Sequence, residues 1–127
     1  MDAHFSSTDQ FVQAYIGAWS TEDAAKRQQL VTSLYAEDAA FYAHEPGDGP
    51  IERYGVADIT VNIAGVNGRL VRDNGLRTES TGFVVNHDVL KVSWRMLSSD
   101  GHVALTGMNL LRRDASGRIV QDYIFIG

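Results

Sequence analysis

The chain is expected to fold as an α+β protein, with helices in its first half and an antiparallel sheet in its second. Three observations predict this. Apolar residues at helical spacing are confined to the stretch before about residue 70. Strand-like alternation dominates from residue 76 onward. Turn residues divide that second half at short intervals, as in a meander rather than a chain of crossovers.

The elements follow in order. Ser7-x-x-Gln10 is a capping-box pattern that marks a helix start. Phe11, Tyr15, Ala18 and Trp19 then fall at i, i+4, i+7 and i+8, one helical face. Thr21, with Glu22 and Asp23, is expected to open a second helix, because acidic residues suit its positive N-terminal end. In it Leu30/Leu34 and Val31/Tyr35 are i, i+4 pairs. Residues 38–44 (DAAFYAH) read as a short strand, and residues 45–50 (EPGDGP) as a loop by composition. A third helix carries Ile59, Ile63, Val66 and Leu70 on one face, with Gly65 and Gly68 weakening its end. Strands follow over residues 76–85, 90–97, 103–113 and 118–126. They are separated by turns at Asn86-His87-Asp88, Ser98-Ser99-Asp100-Gly101 and Asp114-Ala115-Ser116-Gly117.

With 127 residues, 44% apolar and 21% charged, the chain fits a single domain, 1–127, with one core. The formal net charge is −5 and no basic run occurs, so neither nucleic acid nor an anionic membrane is an expected partner. The absence of cysteine removes thiolate catalysis, disulfides and Cys-ligated zinc. The beginning, MDAHFSSTDQ, lacks a charged-then-apolar signal pattern, and no apolar stretch approaches the roughly 20 residues of a membrane span. A cytoplasmic protein is expected. The four histidines have no His-x-x-x-His spacing, so no metal is expected. Gly47-x-Gly49 lies in a proline-bracketed loop and not after a strand, which argues against a nucleotide. No cofactor is expected.

The closing hairpin, GMNLLRRDASGRIVQDYIFIG, carries two polar residues inside apolar runs, Asn109 and Asp122. A buried polar group without a partner is costly, so each requires a hydrogen bond or a task. Side chains alternate along a strand. Asp122 therefore shares a face with Val120, Ile124 and Ile126, and Asn109 with Gly107 and Leu111, while Tyr42 and His44 share a face earlier on. Exposed-edge placement of Asp122, or an ion pair with Arg112 or Arg118, is the alternative to a pocket role. Tyr15, Trp19, Tyr42 and Trp94 are core aromatics or pocket walls, and here the two roles overlap. Both faces of the later strands carry apolar residues, so a homodimer formed through the sheet is expected to cover the second face.

Nearly the whole chain resembles the nuclear-transport-factor-2-like superfamily, in particular its SnoaL-like branch. The residues that carry the resemblance are the Phe11–Trp19 helix, LYAEDAAFYAHEP (34–46), Gly55 before the third helix, and GMNLLRRDASGRIV (107–120). The superfamily includes polyketide cyclases, ketosteroid isomerase, limonene epoxide hydrolase and scytalone dehydratase. The resemblance implies a cone-like, curled, mainly antiparallel sheet closed by the three helices around a pocket. It is specific for fold and weak for function, because this fold hosts many chemistries.

By the resemblance, Tyr15 falls where ketosteroid isomerase has its oxyanion-hole tyrosine, and Asn109 where that enzyme has a protonated aspartic acid. Scytalone dehydratase is similar in placing an asparagine on this strand. The isomerase base falls at Ala43 or His44; in the first alignment it is missing, and in the second a histidine replaces it. Against the epoxide hydrolase, Tyr42 and His44 fall on the water-positioning tyrosine and asparagine. Asp122 lies two residues before the last catalytic aspartate, on the same face. The hydrolase's Arg-x-Asp pair has no match, since Lys91, Ser93 and Arg95 are on the other face.

The expected function is that of a cofactor-independent enzyme doing acid/base chemistry on a small apolar or aromatic molecule. Isomerisation, aldol-type cyclisation, dehydration and epoxide opening are the candidate reactions. Asp122, His44 and Asn109 are the candidate catalytic residues. Tyr15, Trp19, Tyr42, Trp94, Leu111 and Ile124 are the candidate ligand-binding residues. A non-catalytic ligand-binding or dimerisation module of the same fold is the alternative.

Overall fold

The structure is a computed structural model and describes residues 5–45 and 49–127. Helices α1 (Thr8–Ser20) and α2 (Ala24–Leu34) lead into the hairpin β1 (Tyr35–Glu45) and β2 (Gly49–Tyr54). Helix α3 (Val56–Asn67) follows and ends in a π-helical turn, Gly68–Arg72. The meander β3 (Arg77–Asn86), β4 (Val89–Leu97), β5 (Val103–Arg113) and β6 (Ile119–Ile126) completes the chain. The six strands form one open sheet in the order β2-β1-β6-β5-β4-β3. Only the β1–β6 pair is parallel. The predicted α+β class and mainly antiparallel sheet are therefore observed. Among the described residues no helix is long and apolar enough to cross a membrane.

The local chemistry explains the boundaries. Ser7 caps α1 by accepting from the Gln10 amide at 3.1 Å. Gln10 Oε1 reaches back to the Ser6 amide at 3.0 Å, one residue earlier than a strict capping box would place it. The N-cap of α2 is Asp23, whose carboxylate accepts from Ala25 and Lys26 at 3.0 and 3.1 Å. Thr21, expected to open that helix, instead ends α1. Tyr35, spaced as if to continue α2, is where the chain turns extended and β1 begins. Part of the expected loop at 45–50 is strand: Gly49 and Pro50 pair with Glu45 and His44. Proline is tolerated there because β2 is an edge strand. Residues 46–48 of that loop, and His4, lie outside the described residues. Gly55 has φ 86°, a left-handed conformation that favours glycine, and its amide bonds to Ala39 at 2.8 Å, so α3 starts tight against β1.

Register shifts in β1–β6, β3–β4, β4–β5 and β5–β6 bend the sheet. Its concave face carries Phe41, Leu90, Val92, Trp94, Met96, Leu111 and Asp122, all buried. The helices cover this face with Phe11, Val12, Tyr15 and Ile16 from α1, Val31 and Leu34 from α2, and Ile59 and Ile63 from α3. Trp94 sits directly opposite Gly107 on β5. A Cβ at Gly107 would lie 2.7 Å from Trp94 Cη2 and 2.8 Å from the Phe125 carbonyl oxygen. The glycine is therefore what lets the indole lie flat across β5 toward Asn109.

Candidate functional site

A cavity of about 270 Å³ lies between the concave face and the helices. One wall is α1, through Tyr15, Ile16 and Trp19. A second wall is the end of α3 and its π turn, with Val66, Asn67, Arg69, Leu70 and Val71. The floor is the sheet, with Thr78, Trp94, Met96, Leu105, Asn109, Ile124 and Ile126. The lining is mostly apolar, with few polar groups, as small-molecule sites are built. Asn67 ties two walls together: it is buried, and its Nδ2 donates to the Trp19 carbonyl at 2.8 Å. The π turn widens the helix at Gly68 and carries Arg69, an exposed cationic side chain, to the rim.

Behind the polar end of the cavity sits Asp122, with no exposure at all. Its Oδ2 accepts from the Tyr15 hydroxyl at 2.8 Å and from the Tyr35 hydroxyl at 2.6 Å. Its Oδ1 accepts from Asn109 Nδ2 at 2.7 Å. Asn109 Oδ1 in turn accepts from Trp94 Nε1 at 2.8 Å, which fixes the orientation of the amide. Four elements thus converge on one carboxylate: α1, the start of β1, β5 and β6. Tyr15 and Asn109 face the cavity and separate Asp122 from it.

Among the described residues no cation pairs with this carboxylate; Arg112 bonds instead to Gln121 and lies 3.9 Å from Asp88. Burial without a counter-charge disfavours ionisation. The Asp122 carboxyl is accordingly pushed up to about 6 by desolvation, against the opposing pull of the bonds from Tyr35, Asn109 and Tyr15. The Tyr15 and Tyr35 phenols are raised well above their ordinary value, first by burial and then by the Asp122 charge. Both therefore stay protonated at neutral pH. The indole N–H of Trp19 is buried with no partner at hydrogen-bond distance. It lies near enough to the Tyr35 phenol to favour that group's ionised form. The arrangement can move a proton: a carboxylate that titrates near neutrality is joined to a cavity by a phenol that both donates and accepts. Among the described residues no group of three or more His, Asp or Glu is placed to hold a metal ion.

Six of the nine residues singled out by sequence meet here: Asp122, Asn109, Tyr15, Trp19, Trp94 and Ile124. Leu111 is fully buried beside Asp122, its cross-strand partner, but in the core and not in the cavity lining. Tyr42 and His44 are placed differently. In the second half of β1 Phe41 and Ala43 are buried, Phe41 beside Asp122 on β6, so the alternation turns Tyr42 and His44 to the convex face. There His44 is exposed and Tyr42 stacks on Tyr123 at 4.9 Å between ring centroids. The expectation that these two line the pocket is corrected by that parity. Tyr35 was missed, because its spacing from Val31 fitted a continuing helix. Its signal is that a buried phenol requires a hydrogen-bond partner, but nothing local names one 87 residues away.

No family model matches the chain, and no curated protein matches it. Solved structures do. A SnoaL-like family protein from Agrobacterium tumefaciens, provisionally described as an isomerase, superposes with a TM-score of 0.77 at 24% identity, covering 92% of this chain and 94% of its own. A cystatin-like protein of unknown function from Methylobium petroleophilum gives 0.71 at 18% identity, covering 100% of this chain and 80% of its own. A protein from Sinorhizobium meliloti, provisionally described as a polyketide cyclase, gives 0.64 at 20% identity, covering 95% of this chain and 100% of its own. The fold is thus the SnoaL-like, nuclear-transport-factor-2-like fold, also called cystatin-like.

Proposed function

We propose that the protein is a cofactor-independent enzyme that moves protons on a small, largely apolar molecule held in the cavity. The observation that carries this reading is a fully buried carboxylate with no cation beside it, raised to about 6 and wired to an apolar cavity through Tyr15. In the proposed step a proton leaves the substrate for Tyr15 Oη as Tyr15 passes its own proton to Asp122 Oδ2. Charge left on the substrate oxygen is met by the second N–H of Asn109. Return of the proton to another atom completes an isomerisation, a cyclisation or a dehydration. Neighbours of this fold that are provisionally described as an isomerase and a polyketide cyclase support the class without selecting among its members. The position of Asp122 behind the lining, not in it, favours one second reading, a ligand-binding module without chemistry.

A panel of small cyclic ketones, enols and epoxides incubated in heavy water, followed by NMR, separates the two. Wild type is expected to speed deuterium exchange or product formation for at least one compound. Tyr15→Phe and Asp122→Asn are expected to slow it by about 10²-fold or more. Binding without turnover in wild type, or equal turnover in both variants, would refute the catalytic reading.

We also infer a homodimer through the convex face. A stripe of aromatic rings crosses it: Tyr54 packs on Tyr42, Tyr42 stacks on Tyr123, and Phe125 is half exposed beyond. Such a contiguous apolar patch marks an interaction surface. Light scattering should give twice the 14.0 kDa chain mass, and Tyr123→Lys with Phe125→Lys should give the monomer. A monomeric wild type at tens of micromolar removes the inference.

A further inference from the structure

The hydrogen-bond directions around Asp122 determine what functional group the cavity accepts at its inner end. The Tyr15 hydroxyl spends its only proton on Asp122 Oδ2. Toward the cavity it therefore offers lone pairs and no donor. Turning that proton toward a ligand would strip a buried carboxylate of a charge-assisted bond. Asn109 has the opposite character. Its Oδ1 is occupied by Trp94 Nε1 and one N–H by Asp122 Oδ1. Its other N–H has no protein partner among the described residues, in a side chain that lines the cavity. Reversing the amide would lose both bonds at once and set its oxygen against the Asp122 carboxylate.

Of the two polar side chains at the inner end of the lining, Tyr15 thus keeps one acceptor, Oη, and Asn109 one donor, Nδ2, with apolar surface from Trp94 and Ile124 around them; the unpartnered indole N–H of Trp19, also in the lining, is a further donor. We infer that the group bound at this end is a hydroxyl (an alcohol, an enol or a phenol), which donates to Tyr15 and accepts from Asn109. A ketone or aldehyde carbonyl satisfies Asn109 alone and faces the Tyr15 oxygen lone pair to lone pair. A carboxylate does worse, because it meets the same oxygen with a full charge, close to Asp122. This inference deepens the proton-transfer reading and rests on it for its consequence: the hydroxyl proton is the one that Tyr15 is placed to take. The preference for a hydroxyl is a property of binding and holds whether or not turnover follows.

The chain's two tryptophans, Trp19 and Trp94, both line the cavity, so intrinsic fluorescence reports its occupancy. Menthol, menthone and menthane share one skeleton and differ only in the hydroxyl, the carbonyl or neither. Titrated into wild-type protein at pH 7.5, about 1.5 pH units above the Asp122 midpoint of about 6, menthol is expected to bind about tenfold or more tightly than either of the others. In Tyr15→Phe, checked for native folding by circular dichroism, menthol should lose that advantage over menthone. Equal or tighter binding of menthone to wild type overturns the inference without any variant. A preference for menthol that survives intact in Tyr15→Phe also overturns it, because the acceptor would then be another group. Strong menthol preference with no turnover in the heavy-water panel upholds the inference and removes only the catalytic reading.

Discussion

Asp122→Leu is expected to destabilise the fold by about 4 kcal/mol at pH 4 and by only about 1 kcal/mol at pH 7. The variant leaves two buried donors, the Tyr35 hydroxyl and the Asn109 amide, without an acceptor. Each orphan costs about 2 kcal/mol. The Tyr15 hydroxyl escapes this cost because it can turn to water in the cavity. The pH dependence belongs to the wild type. Its Asp122 carboxyl titrates near 6 in the folded chain, against about 3.9 when unfolded. The folded state then holds the proton more tightly, so between pH 4 and 6 it binds more protons than the unfolded state and stability falls as pH rises. Two pKa units at about 1.4 kcal/mol each give about 3 kcal/mol lost by pH 7. Leucine cannot titrate, so its penalty shrinks by the same amount. Urea melts of both proteins at the two pH values measure it. A penalty that grows from pH 4 to pH 7 would mean that Asp122 stabilises the fold as an ordinary anion.

Trp94→Ala is expected to cost about 3–5 kcal/mol, the usual range for removing a large buried aromatic ring. Trp94 is 8% exposed, packs against Gly107 across the strand pair, and forms part of the cavity floor. Its loss also leaves Asn109 Oδ1 without its donor, so that the amide is held by Asp122 alone. Trp94→Phe separates the two effects: most of the packing stays while the hydrogen bond goes, so most of the stability should return. Hydroxyl-over-carbonyl selectivity should persist in Trp94→Phe, because Asp122 Oδ1 still holds the Asn109 N–H and Tyr15 Oη remains the acceptor. Thermal melts and the menthol–menthone comparison on both variants measure the split. Loss of selectivity in Trp94→Phe would show that the bond to Asp122 does not suffice to orient Asn109.

The features most legible in the sequence were those that broke a local pattern. Asn109 and Asp122 interrupt apolar strands, and a polar residue in such a run requires a partner whatever the fold. Asn109 and Asp122 are the two ends of one hydrogen bond. Tyr15 and Trp19 were legible from the α1 stripe, because one face of a helix must meet the sheet. The parity of β1 was not. Alternation groups Tyr42 with His44 and Phe41 with Ala43, but which pair faces the helices depends on how β1 docks beside β6, a long-range pairing. Tyr35 was hidden by a stronger local signal, its helical spacing from Val31. β2 was hidden by Gly49 and Pro50, residues that an edge strand admits and a central strand excludes. Two of the four bonds that make the site, those from Tyr35 and Tyr15, link positions 87 and 107 residues apart. Such distances are beyond any local rule.

The central claim is that Asp122 is a carboxylate sealed behind the cavity wall and poised to exchange a proton near neutrality. The most direct test follows the side-chain carboxyl carbon of Asp122 by NMR across the pH range, with Asp122→Asn identifying the resonance. The account predicts a single titration with its midpoint at about 6. A midpoint at or below about 4, the ordinary value for a solvated aspartate, would contradict it.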